Sequence, residues 1–143
     1  MDISASALTA QRFRMDVIAE NIANANTTRM ADGQPYRRRY TVFQTRGQSE
    51  PFSSYIDTAR NAAYGNGVRV ISVGTDPTPF KYDYNPSHPD ADENGYVRMP
   101  NVDTVREMTD MITTQRVYDA NQRMITIHDA ILNRIANDIG RKS

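Results

Sequence analysis

Hydrophobic positions recur in helical register at both ends of this chain and in strand register between them. In the first stretch, residues 1–28, Met1, Leu8, Met15 and Ile22 stand seven apart, and Ser4, Gln11, Ile18 and Ala25 follow each by three. The spacing predicts an amphipathic helix from about Ile3 to Ala25, ~35 Å long, whose stripe is a narrow heptad seam. Asp2 or Ser4 can cap its start. Ala5, Ala7, Ala10, Ala19 and Ala23 crowd the seam, and side chains this small let a second helix come close. Asn24, Asn26, Thr27 and Thr28 close the pattern, because their side chains compete for backbone hydrogen bonds.

A second seam begins at Asn101 or Asp103 and runs to about Ile139 with no Gly or Pro inside it. Met111, Tyr118, Ile125, Leu132 and Ile139 repeat every seven residues. Val117, Met124 and Ile131 sit beside them, and Asn121, His128 and Ile135 fill the alternate position. This predicts a helix of about 55 Å, stopped by Gly140 with Arg141 and Lys142 at its negative end.

The middle, residues 29–100, has a different period. Asp32-Gly33 and Pro35 mark a turn, and RRYTVFQT predicts a short strand. Residues 46–66 are polar and rich in Gly, Ser and Asn, a long surface loop in which Ser53-Ser54 can cap a short helix through Ala62-Ala63. Asn66-Gly67 opens a strand carrying Val68, Val70, Ile71 and Val73, and after the turn Gly74–Pro79 a second strand alternates Phe80, Tyr82 and Tyr84. These two are expected to pair as a hairpin. Residues 85–95 form a loop, and Tyr96–Met99 is a short extended piece stopped by Pro100. The chain is therefore expected to be α+β. An N-terminal helix (1–28) and a C-terminal helix (101–143) pair as a coiled-coil-like hairpin, with the β-rich middle inserted between them.

Composition changes this picture in one respect: only 38% of the chain is hydrophobic and it has no Trp. A modest core plus surfaces buried against partners fits better than one full-sized core. The 17 basic and 17 acidic residues cancel and intermingle, which argues against nucleic acid or a membrane surface as partner. Arg37-Arg38-Arg39 reads as a solvated loop or sheet edge. Without cysteine there is no disulfide, thiolate site or Cys nucleophile. Neither a cleavable signal peptide nor a helical membrane span is visible.

Candidate chemistry is sparse. Asp90-Ala-Asp92-Glu-Asn94-Gly95 matches the first half of an EF-hand loop, but its twelfth position is Asn101, where a bidentate Glu is needed. Pro89 and Pro100 flank it in place of helices, so it reads as an acidic turn. His88 and His128 have no partner at helical spacing, so neither a metal site nor a catalytic triad is expected. Gly65-Asn-Gly67 is a turn, and the glycosylation triplet Asn26-Thr27-Thr28 carries little weight. Asn21 and Asn24 flank Ile22 on the last turns of the first helix, where Asn is a poor helix former. Either they fray the helix into a turn, or their amides fix register, as Asn121 can on the other seam.

The run Ile18-Ala-Glu-Asn21-Ile22-Ala23-Asn24-Ala-Asn-Thr27 resembles the signature near the N-terminus of the axial proteins of the bacterial flagellum, rod and hook. Glu20 departs mildly, since Ser, Asn or Thr is frequent there. The upstream ISASALTAQ is also similar. Asn85 to Asp103, NPSHPDADENGYVRMPNVD, and the positions EM…MI…R…Y…AN from Glu107 to Asn121 resemble the proximal-rod branch of that family, as do DGQPYRR and VFQ. Residues 46–64 match least.

The resemblance implies a structural, non-enzymatic subunit without cofactor. It would be exported by the flagellar type III apparatus without a cleaved signal. It would polymerise helically with itself and other proximal-rod proteins in the basal body, in the periplasm, its helices forming the wall of the export channel. The assembly surface would comprise Leu8, Met15, Ile18, Asn21, Ile22, Asn24, Met111, Tyr118, Asn121, Ile125, His128, Leu132 and Ile135. Seams this narrow are expected to order on assembly, and Asn21→Ala with Asn24→Ala to spoil assembly more than folding. A cytoplasmic helical adaptor and an enzyme with a pocket in the β region are the competing readings. The second lacks a nucleophile–base pair.

Overall fold

The computed structural model describes residues 2–46 and 67–140. The expected loop and short helix between them, the tip Met1 and the stop residues Arg141-Lys142 lie outside the described residues. Helix α1 spans Asp2–Ala23, strands follow at Arg39–Thr45 (β1), Val68–Thr75 (β2), Lys81–Tyr84 (β3) and Tyr96–Met99 (β4), and helix α2 spans Thr104–Gly140. The architecture is α+β, with long helices at either end and a small strand-containing middle region.

α1 stops where its Asn-rich end turns on itself. The Asn24 side-chain amide donates to Glu20 O (2.9 Å), and Thr27 N–H donates to Asn24 O (3.1 Å). Of the two readings of Asn24, the structure favours helix termination. α2 starts at Asp103, whose carboxylate accepts from the N–H groups of Val105 and Arg106 (3.1 and 3.2 Å), an N-cap in the expected place.

The strands pair differently from expectation. β2 does not fold back onto β3. It runs antiparallel to β1, and β3 runs antiparallel to β4, in two separate two-stranded sheets. The reason lies in the turn after β2. Arg37 donates to Asp76 O and Thr78 O (both 3.0 Å), and Asn101 donates to the same two carbonyls (both 3.2 Å). Anchored from both sides, that segment leads the chain away from β2.

A bulge between Val42 and Phe43 leaves Ile71 without a β1 partner. A bulge shifts the two-residue alternation by one, so Val68, Val70, Ile71 and Val73 can share a face that strict alternation would divide. All four line a groove beside α1. Farther along, Gly74 lies under the Tyr40 ring, where a Cβ would meet the ring atoms at 2.6 to 2.9 Å.

α1 packs against both α2 and the β1–β2 sheet. Its buried positions are Ser6, Ala10, Val17, Ile18 and Asn21. Of the seam read from sequence, Ile18 is buried, whereas Leu8, Met15 and Ile22 are half-buried. The most buried stripe is rotated because α1 has a sheet as well as a helix to cover it.

At the start of β2, Ser6 Oγ donates to Ile3 O (2.7 Å) and accepts from Val68 N (3.0 Å). Gly67 permits this approach: its φ is +84°, and a Cβ there would collide with Ser6 Oγ. Gly33 has a similar φ of +76° but nothing within 4 Å. Gly33→Ala is therefore expected to cost only the left-handed strain, ~1 kcal/mol. Gly67→Ala adds a steric term of ~1–3 kcal/mol. Urea unfolding of the two variants measures the difference, and equal losses would remove the packing argument.

Candidate assembly site and its buried anchor

The two helices are joined by side chains at the end where the chain enters and leaves the middle region. Asn21 is on the penultimate turn of α1, and Glu107 on the first turn of α2. Asn21 Nδ2 donates to Glu107 Oε2 (2.9 Å) and to Arg39 O (2.8 Å). Its Oδ1 accepts from Arg39 N (2.9 Å) and from the Tyr36 hydroxyl (2.9 Å). The amide thus pairs with both polar groups of one peptide residue, as a neighbouring strand would, and fixes where β1 begins. Both its donors and both acceptor sites are used inside the chain.

Glu107 is fully buried, with 0% of its surface exposed. Its other oxygen accepts from Arg38 Nε at 2.7 Å, a charge-assisted bond. Arg38 also lies 3.6 Å from Asp76 and 4.0 Å from Asp110. The backbone N–H of Arg38 donates to Asn101 Oδ1 (2.8 Å). Asn101 and Asn21 therefore hold consecutive residues of one extended segment. The N–H of Thr78 accounts for most of the lowering of the Asp76 carboxyl below its ordinary value, with a smaller part from Arg38. The arginine run is not merely solvated: Arg38 is drawn inward, Arg37 stacks on Phe80 at 4.3 Å, and Arg39 pairs with Glu20 at 2.9 Å.

From this anchor the helices run antiparallel. From Asn21 back to the start of α1 is about 28 Å, which reaches along α2 to about Ile125. Burial agrees: Met111, Tyr118, Asn121 and Ile125 are half-buried and Thr114 is buried, whereas residues 126–139 are all exposed. α1 has 22 residues and α2 has 37, so α2 overhangs by about 22 Å. The overhang is apolar. Met124, Ile131, Leu132, Ile135 and Ile139 are each at least half exposed.

The expected assembly residues therefore divide. Ile18 and Asn21 belong to the subunit's interior. Leu8, Met15, Ile22, Asn24, Met111, Tyr118, Asn121 and Ile125 form a half-covered band, and His128, Leu132 and Ile135 stand free of α1. The amide of Asn121 donates to Val117 O within its own helix (2.9 Å). Tyr36, Arg38, Asn101 and Glu107 were not singled out from sequence. The available signal was Glu107 itself, a carboxylate seven residues before Thr114 on the covered side of α2. The acidic turn ties back to α1: Asp90 accepts from the Thr28 hydroxyl (2.8 Å), and Asp92 from the N–H groups of Asn94 and Tyr96 (3.0 and 2.8 Å). Among the described residues, no three His, Asp or Glu side chains converge as a metal site requires.

Two family models match the ends of the chain: the flagella basal body rod protein model over residues 1–29, and the C-terminal model of the flagellar basal body rod FlgEFG proteins over residues 93–139. The flagellar basal-body rod protein FlgC of Bacillus subtilis is 41% identical, covering 99% of this chain and 96% of its own length. Those of Borreliella burgdorferi and Salmonella typhimurium are 43% and 46% identical over 87% and 84% of this chain, and 86% and 81% of their own lengths. The chain belongs to the FlgC family of flagellar basal-body rod proteins. Its role is structural, as a component of the rod, and the enzyme reading falls away.

In the FlgC-family fold described here, Glu107→Ala leaves Arg38 and Asn21 facing an empty, buried site. The expected loss is ~3 kcal/mol or more, read as an earlier urea midpoint of the purified chain. A loss below about 1 kcal/mol would show the anchor to be dispensable. Tyr36 gives a separate test. Burial first, then Glu20, pushes its phenol from 10.0 up to about 12, against a lowering by Arg39. The unfolded chain releases that proton from pH 10 upward, while the folded chain keeps it to about 12. Stability is therefore expected to fall across that window. Tyr36→Phe should remove this part of the alkaline loss, and an unchanged pH profile would contradict the assignment.

Proposed function

We propose that the chain is a subunit of the proximal rod that polymerises helically with itself and neighbouring rod proteins. Its α2 overhang is the principal assembly element. The observation that carries this reading is the apolar stripe of that overhang, left open where α1 ends. A large continuous apolar surface of this kind marks an interaction site. Contacts that repeat without closing generate a helical tube, the form a drive shaft and channel wall requires.

The half-covered band Leu8, Met15, Ile22, Met111, Tyr118 and Ile125 is the second part of the proposed interface. Asn21 acts differently from expectation. Its bonds hold the subunit together, so its effect on assembly comes through folding. Export through the flagellar type III apparatus suits a chain whose core is small, since threading requires it to unfold. No described helix is long and apolar enough to cross a membrane, and the proposed place is the rod where it traverses the periplasm.

Leu132→Ser combined with Ile139→Ser is expected to leave the monomer's stability within ~0.5 kcal/mol of the parent, because both sites are exposed. Rod formation and swarming motility should be lost. Complementation of a strain lacking the protein, scored by motility and by recovery of the chain in isolated basal bodies, checks this. Normal rods built from the double variant would overturn the role of the overhang.

A further inference from the structure

Two apolar surfaces are unmatched within the subunit, and their shapes are opposite. The first is convex, the ridge on the α2 overhang where Ile131 and Ile135 stand one helical turn apart, 54% and 50% exposed. The second is concave. A groove of about 390 Å³ lies between α1 and β2, lined by Ala10, Phe13, Val68, Val70 and Ile71 among others. Its mouth exposes large apolar groups too, with Phe13 and Ile71 at 42% and 49%.

The groove has a local cause. Ser6 and Gly67 pull the start of β2 onto α1. The bulge at Ile71 then brings consecutive apolar residues of β2 to the groove side. The overhang of the same chain cannot fill this groove. α2 is one uninterrupted helix to Gly140, and its distal half continues past the N-terminal end of α1, whereas the groove lies alongside Ser6 to Phe13.

The charges at the two surfaces match. Arg46 and Arg69 stand at the groove, both exposed, and Arg69 reaches Gln44 at 3.4 Å. The overhang carries Asp129 and Asp138, each three residues from a stripe position, Leu132 and Ile135 respectively. An apolar ridge flanked by carboxylates faces an apolar groove flanked by guanidinium groups.

We propose that the α2 overhang of one copy seats Ile131 and Ile135 in the α1–β2 groove of the next copy. Asp129 and Asp138 then lie against Arg46 and Arg69. This rests on the polymerising-subunit reading above and names the surface that receives the overhang. The contact is heterologous. Each copy presents one ridge and one groove, so the chain of contacts stays open at both ends.

The chain contains no cysteine, so introduced thiols report only the contact they were built for. Ile71→Cys with Ile135→Cys, expressed in place of the parent, is expected to give a ladder of dimers, trimers and longer species when isolated basal bodies are oxidised. Neither single variant should do so. Asp129→Arg added to the pair is expected to cut the ladder at least tenfold, and Arg69→Asp to restore it. All these positions are exposed, and a thermal melt of each purified full-length variant confirms that it folds. A pair incorporated into basal bodies without a ladder overturns the groove contact, as does dimerisation of Ile135→Cys alone or cross-linking to a different rod protein. Absence of the parent chain from basal bodies would instead sink the rod reading itself.

Discussion

The structure depends on one buried contact, the Glu107 carboxylate held between Asn21 and Arg38. It joins three segments that are distant in sequence: the end of α1, the strap before β1 and the first turn of α2. A carboxylate removed from water is tolerated only when paired and hydrogen-bonded. Both oxygens of Glu107 are engaged, and Asn21 has no unused donor or acceptor site. Asn101 extends the same arrangement to the turn after β2. The helices diverge from this point, so its geometry sets their pairing and the place where α1 runs out along α2.

A polar anchor suits a chain with few large apolar residues to bury. The described core consists mainly of Ala10, Val17, Ile18, Tyr36, Val97 and Val102, and burial of so little apolar surface leaves stability modest. Hydrogen bonds to charged groups contribute roughly 1.5–3 kcal/mol each and, unlike apolar contact, they are directional. The apolar residues that the core does not use lie on the distal half of α2 and around the α1–β2 groove. Folding within the subunit and binding between subunits thus draw on separate sets of side chains. Substitutions in the two sets should consequently affect different steps.

Much of this was legible along the chain. Heptad spacing located both helices because a helix covered on one side must repeat its apolar residues every three or four positions. Asp103 and the Asn-rich end of α1 marked boundaries because capping is local chemistry. The β-branched run at Val68–Val73 located β2, and even its broken alternation had a cause, the bulge at Ile71. The family resemblance rested on short segments at the ends and in the acidic turn. Those segments hold α1, the loop after β3 and the start of α2, the parts that anchor one another.

What the sequence determined by itself was the set of elements, the long helices at its ends and the FlgC-family kinship, since each depends on neighbours within a few residues. What only the tertiary structure decided was partnership. It paired β2 with β1, because Arg37 and Asn101 restrain the intervening turn. It turned the most buried face of α1 away from Leu8 and Met15, because a sheet packs there as well. It also placed Asn21 inside the subunit and left Leu132 and Ile135 outside. A periodic stripe records that a face is to be covered, but it carries no mark of whether the cover comes from the same chain. That depends on where α1 ends against α2, and the Asn21–Glu107 contact sets that position.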